Sequence, residues 1–261
     1  ARLRVSVMGE TRVFCGDEEI TSWARPGMRE LLVYLLDHET PARRDEILAD
    51  IWPEKEPRLA GEEFRKVRSE LKKALGVQVK KLDDGRYTVA EVESYDARDF
   101  EAAAQLGEAL MRAGDTPEAI VALRRAVSLG AGSFLSEVYS EWVVLRRDAL
   151  RREYLIALEQ LVEAQMILKE YAALTRSAYL LLDANPLCEK AHRALMVGFY
   201  ACGEPARALD QFRQCARILR EELELEPTPR TVALYKTIRS RVGAGRQNSQ
   251  TSSRAASARL V

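Results

Sequence analysis

From Asp96 to Arg241 apolar residues recur at helical spacing almost without a break, whereas before Asp96 they do not. So long a periodic stretch breaks into shorter helices that bury their apolar stripes against one another. How they pair shows in a recurring set of small and apolar positions. Leu106-Gly107, Gly114-Asp115, Ala119, Leu123 and Ala126 make one set; Leu195, Gly203, Ala208, Phe212 and Cys215 make another. Leu161, Tyr171 and Pro186 form a weaker middle copy, and 195 − 161 = 34 residues. Small side chains at Ala119 and Ala208 let two helices approach, and Leu or Phe four positions later fills the groove between them.

This spacing resembles the tetratricopeptide (TPR) repeat and predicts an all-α unit of antiparallel helix pairs. The first and middle copies are 161 − 106 = 55 residues apart, 21 more than one period. The surplus contains Ser133-Phe134-Leu135 and leads into a long helix predicted over Glu141–Leu168. Glu226-Pro227 ends a helix, and Thr231, Leu234 and Ile238 begin the last one. Gly243–Val261, rich in Ser, Ala, Arg and Gln without apolar periodicity, is expected to be a disordered tail.

The first 94 residues read differently. Leu3, Val5 and Val7 alternate with polar residues, and Val13-Phe14-Cys15 and Ile20 follow as short strands. Three helices are then predicted, over Arg29–Leu36, Arg44–Ile51 and Gly61–Leu75, the last with Phe64, Val67, Leu71 and Leu75 on one face. Val77–Leu82 and Arg86–Val89 flank Asp83-Asp84-Gly85, a hairpin turn sequence. Strands, three helices and a terminal hairpin spell a winged helix-turn-helix. The predicted fold is therefore mainly α, with a winged-helix α+β domain (1–94) before a TPR-like domain (95–242) and the tail (243–261).

Forty basic and forty acidic residues cancel, so nucleic-acid binding must rest on a local patch. Residues 60–81 provide one: seven basic minus three acidic side chains give +4, while residues 1–95 carry 17 − 19 = −2. No apolar run is long enough to span a bilayer and Ala1–Glu10 lacks a secretory pattern, so a cytoplasmic protein is expected. Cys15, Cys188, Cys202 and Cys215 have no metal-ligand spacing with His38 or His192; Cys202 and Cys215 read as small core residues, and both histidines as surface or capping residues. Trp23, Trp52 and Trp142 read as core or junction packing. No nucleophile-elbow, HExxH, Walker or GxGxxG sequence is present, so neither an enzyme nor a cofactor is expected.

Arg25-Pro26 through Leu36, Arg44-Asp45-Glu46-Ile47-Leu48 ending in Ile51-Trp52-Pro53, and Leu71-Lys72-Lys73-Ala74-Leu75 resemble the OmpR-type DNA-binding domain of the Streptomyces antibiotic regulatory proteins. Asp99-Phe100-Glu101, Glu141-Trp142, Asn185-Pro186-Leu187, Glu222-Leu223 and Glu226-Pro227 resemble the bacterial transcriptional activation domain that follows it. The same pair also occurs at one end of larger ATPase-containing regulators. The resemblance implies a transcription activator on double-stranded promoter DNA, with the helical domain contacting RNA polymerase or mediating homodimer formation. It makes Gly61–Leu75 the recognition helix and Lys80–Arg86 the wing, with Arg65, Lys66, Arg68, Lys72, Lys73, Lys80, Lys81 and Arg86 as DNA-contacting residues. Glu62, Glu63 and Glu70 depart from that pattern, which commonly has Asn or small polar residues at the first two positions and Arg at the third, and carboxylates repel phosphates. They leave open a second reading, an adaptor whose TPR-like surface binds a protein or small ligand.

Overall fold

The computed structural model describes residues 3–38, 40–76, 79–89 and 92–257, which divide into two compact units. The first comprises 1–105 and 125–154, and the second 106–124 and 155–261. The first is therefore wider than residues 1–94.

In the first unit, β1 (Leu3–Ser6) and β2 (Arg12–Cys15) pair antiparallel with Val5 opposite Val13, and β3 (Glu18–Glu19) continues the meander. Leu3, Val5 and Val13 face inward, as the alternation predicts. A strand the periodicity did not show, β6 (Ser94–Tyr95), lies parallel to β1 and completes a β3-β2-β1-β6 sheet. Two residues are too few for a period of two to register, and the partner is ninety residues away. The Asp96 carboxylate fixes this junction, accepting from the Ser6 hydroxyl at 2.6 Å and from the Val7 and Met8 amides at 2.9 and 3.0 Å.

Helix α1 (Met28–Asp37) buries Met28 and every residue from Leu31 to Leu36, so it runs through the middle of this unit. It starts at Gly27, whose φ of +81° favours glycine. A Cβ there would lie 3.2 Å from the indole of Trp52, which is buried at the end of α2 (Arg44–Ile51). Helix α3 (Pro57–Leu75) and the hairpin β4 (Val79–Lys81) and β5 (Tyr87–Val89) follow. Ala42 and Tyr87 exchange backbone hydrogen bonds of 2.9 and 2.8 Å, tying the hairpin to the segment before α2.

The 21-residue surplus between helical repeats belongs to this unit too. Phe134 and Leu135 are fully buried. The Leu135 amide donates to the Val7 carbonyl (3.0 Å), and the Gly9 amide donates to that of Ser133 (3.0 Å). The Arg147 guanidinium donates to the carbonyls of Phe134, Leu135 and Val138. Glu30 on α1 accepts from Ser140 (2.5 Å) and from the Trp142 indole (2.8 Å), while Asp37 pairs with Arg146 at 2.7 Å. Burial raises the Glu30 pKa, offset in part by those two donors. Phe100 packs where Gly130 has no side chain.

Helices α4 (Asp96–Ala113), α5 (Thr116–Leu129) and α6 (Glu141–Ile167) contribute to both units. The second unit adds α7 (Tyr171–Ala184), α8 (Glu189–Ala201), α9 (Pro205–Leu223) and α10 (Pro229–Ser257). The molecule is thus mainly helical. The small residues sit where close pairing needs them. Ala119, Leu123 and Ala208 are fully buried; Gly107 receives Leu123, and Gly198 receives Thr175. Tyr235 stacks on Phe212 at 4.2 Å.

Helix α10 runs on to Ser257, within the stretch expected as a tail, and two other expectations change. Residues 258–261 of that stretch lie outside the described residues. Cys202 is exposed, because it caps α8 rather than packing within it, whereas Cys215 is buried, which raises its thiol pKa to about 12. His192 is buried, its ring between the Pro186 carbonyl (3.1 Å) and the Gln211 amide (2.7 Å). One His on an apolar face carries no sequence mark of such partners.

Two outcomes are expected. A Cβ at Gly132 would lie 2.5 Å from the backbone of Met8 and Gly9, which cannot give way as a flexible side chain can. Urea unfolding should show Gly132→Ala costing roughly 2–3 kcal/mol by overpacking and Gly16→Ala, which meets open space, about 1 kcal/mol from its left-handed backbone alone. Burial lowers the His192 pKa below 6.5, so the unfolded chain takes up a proton there before the folded one does. Stability from this residue is full above that pH and is lost as pH falls below it. His192→Gln should flatten thermal stability between roughly pH 6.5 and 5, and an unchanged acid slope would refute the assignment.

Candidate nucleic-acid interface

Helix α3 begins four residues earlier than the periodicity indicates. Pro57, ahead of the expected start at Gly61, occupies the first helical turn, where its missing N–H costs nothing. Ala60, Phe64, Val67, Leu71 and Leu75 form its buried stripe. At 100° per residue, Arg58, Arg65 and Lys72 make one row on the outer side and Lys66 and Lys73 another, with Glu62 and Ser69 between. Arg58 joins this face only because the helix starts at Pro57, and the sequence reading missed it for that reason.

The three departures on α3 each have a cation beside them. Glu62 lies 3.4 Å from Arg58, Glu63 lies 3.6 Å from Arg25, and Glu70 lies 2.8 Å from Lys73. The Lys73 hydrogen bond lowers the Glu70 pKa, keeping it ionised. Exposed pairs of this kind are weak and salt-screened, so they mute the carboxylates without locking the cations away.

The eight predicted residues fall into distinct settings. Arg65, Lys66 and Lys72 on α3 and Lys80 and Lys81 on β4 are exposed, with no ion pair among the described residues. Lys73 is exposed and holds Glu70. Arg68 is half-buried, its guanidinium 5.9 Å from the Phe64 ring and 5.8 Å from that of Tyr87. Those rings meet edge to face at 5.0 Å, so Arg68 closes the seam between α3 and β5. Arg86 is half-buried and lies 3.4 Å from Asp84. The hairpin tip is acidic, with Asp83 and Asp84 exposed, and Gly85 at φ +83° completes a three-residue loop closed by Leu82 and Arg86. Gly61, buried on α3, leaves the space occupied by the Arg44 guanidinium from α2.

No cluster of three or more His, Cys, Asp or Glu is arranged for a metal, and no helix is long and apolar enough to cross a membrane, among the described residues.

Known proteins share this arrangement of an α/β unit and helical hairpins. Residues 95–239 match the family described as bacterial transcriptional activator domain. The chain belongs to that family and is a member of the group resembling the Streptomyces antibiotic regulatory proteins. It is 30% identical over 241 residues to the regulatory protein AfsR of Streptomyces griseus, covering 90% of this chain and 24% of that protein. It is 24% identical to the transcriptional regulatory protein MoaR1 of Mycobacterium tuberculosis, covering 80% of this chain and 70% of MoaR1. The chain thus spans about a quarter of the AfsR length. Its fold is shared by Mycobacterium tuberculosis EmbR, solved in complex with a low-affinity phosphopeptide: the TM-score is 0.76 at 21% identity, over 92% of this chain and 65% of EmbR.

Arg68→Ala should lower stability by about 0.5–1 kcal/mol through its ring contacts. Lys66→Ala, fully outside the core, should stay within roughly 0.5 kcal/mol of wild type. Chemical denaturation of the two variants distinguishes a seam residue from a surface one.

Proposed function

We propose that this chain is a sequence-specific DNA-binding transcription activator, with residues 1–94 as its winged-helix domain. Helix α3 lies in the major groove and the β4–β5 hairpin is the wing. The observation that carries this reading is the set of five unpaired exposed cations, Arg65, Lys66, Lys72, Lys80 and Lys81, on those two elements, in a region where the nearby carboxylates of α3 are already paired. Lys and Arg there neutralise phosphates and release counterions, while side chains reaching base edges set sequence preference. Arg65 is assigned to a base edge, Lys66, Lys72 and Lys73 to the groove and its phosphates, and Lys80, Lys81 and Arg86 to phosphates from the wing. Arg68 supports the interface by holding α3 on β5. The helical domain contacts RNA polymerase or a second copy, in keeping with the family.

The adaptor reading draws on Glu62, Glu63 and Glu70; each has a cation partner, which weakens that objection and favours the activator reading.

Fluorescence anisotropy of the full chain on its own upstream DNA, across a salt series, tests the proposal. Affinity should fall steeply with salt, and Lys80→Ala or Lys81→Ala should each shrink the logarithmic slope by about 1 while weakening all sequences alike. Arg65→Ala should cost ~1–3 kcal/mol on the preferred site and relax its sequence preference. Absence of salt-sensitive binding at low ionic strength would reject the activator reading.

A further inference from the structure

The second unit contains a groove of about 550 Å³ bordered by α6, α8 and α10. Its apolar lining is Val162, Met166, Ile167, Val197 and Leu234. Ile167 is 56% exposed, so this surface is not closed off by the unit's own core. Three cations stand on the same groove: Lys190, Arg193 and Arg230. Among the described residues Glu163 is the one acidic side chain lining it, and Lys190 holds Glu163 at 2.9 Å.

The placement of these cations runs against helix electrostatics. Lys190 is the second residue of α8 and Arg230 the second of α10, where the positive end of the helix dipole disfavours a cation. The carboxylate that does serve these helix starts is Glu189, which accepts from the Thr228 amide and from the Thr228 and Thr231 hydroxyls. Arg193 is held in place by donating to the Thr231 hydroxyl at 2.9 Å, with Glu189 farther off at 3.9 Å. Burial and the neighbouring charge of Arg230 both disfavour its ionised form. Arg230 is exposed and has no counter-ion among the described residues. Arg193 and Arg230 thus line one apolar groove within range of each other's charge, and of the two only Arg193 has a carboxylate nearby among the described residues.

We infer that this groove binds an acidic peptide segment of a partner protein, an aliphatic side chain seating on Val162, Met166, Val197 and Leu234 while a neighbouring carboxylate bridges Arg193 and Arg230. Guanidinium forks match carboxylates in shape as well as charge, and the apolar floor supplies the burial that a free small anion would lack. A groove of this size holds one or two side chains, so the recognised feature is short. The inference stands apart from DNA recognition, since none of these residues lies on α3 or the hairpin.

The test uses the full 261-residue chain and a labelled peptide alternating Asp with Leu, read by anisotropy at low and high salt. One control peptide has Asn for every Asp, and a second has Ser for every Leu. Both controls should bind at least roughly tenfold more weakly. Arg230→Glu and Ile167→Asp alter exposed side chains and should leave the thermal midpoint and DNA binding unchanged while weakening the acidic peptide about tenfold each. Equal binding of all three peptides, equal binding by wild type and both variants, or no peptide binding at low salt would each overturn the inference. So would preference for a phosphorylated, leucine-free peptide. Absence of DNA binding by the wild-type chain, with peptide binding as expected, would overturn the activator proposal alone, whereas loss of DNA binding in either variant would overturn the inference.

Discussion

Backbone meets backbone where Gly132 passes over Met8 and Gly9, and much of the first unit depends on that approach. Only a residue without a side chain allows the segment after α5 to come close enough for Ser133 and Leu135 to bond with the edge continuing β1. Phe134 and Leu135 are thereby pulled into the core, and Arg147 satisfies three carbonyls that burial would otherwise orphan. Glu30 and Asp37 on α1 then receive Ser140, Trp142 and Arg146. The surplus between helical repeats is therefore a structural part of the α/β unit and not a loose connection.

The candidate interface follows from the same unit by a different route. An amphipathic helix offers its outer face only if its inner face is secured, and Phe64, Val67 and Leu71 do this with Tyr87 and Arg68 at the seam. Two ion pairs within α3 and one to Arg25 accompany the three carboxylates of that helix. Because exposed pairs are weak, the pairing tunes the interface instead of closing it.

In the second unit, packing and charge both join helices. Gly107, Ala119, Gly198 and Ala208 set how closely helices pair, while Lys190 ties α8 to Glu163 of α6 and Arg193 ties it to Thr231 of α10, leaving Arg230 without a counter-ion among the described residues. Cations near two helix starts are an electrostatic cost that the fold alone does not require.

Much of this was legible from the sequence because the signals are local. Alternation marked β1, apolar spacing marked α1, α2 and the core stripe of α3, and small-residue spacing marked the helix pairs. The family could be recognised from Ile51-Trp52-Pro53, Glu141-Trp142 and Asn185-Pro186-Leu187, and the eight cations could be proposed from their charge and place in the chain. What tertiary structure alone decided involves partners far apart in sequence. The two-residue strand β6 has meaning only against β1, His192 became a core residue only through Pro186 and Gln211, and Glu63 is muted only by Arg25. Arg68 and Lys66 read alike as exposed cations until Tyr87 packed beside one of them. Periodicity reports which face of an element is apolar; it cannot report which distant group meets that face, because that depends on how the chain returns to itself.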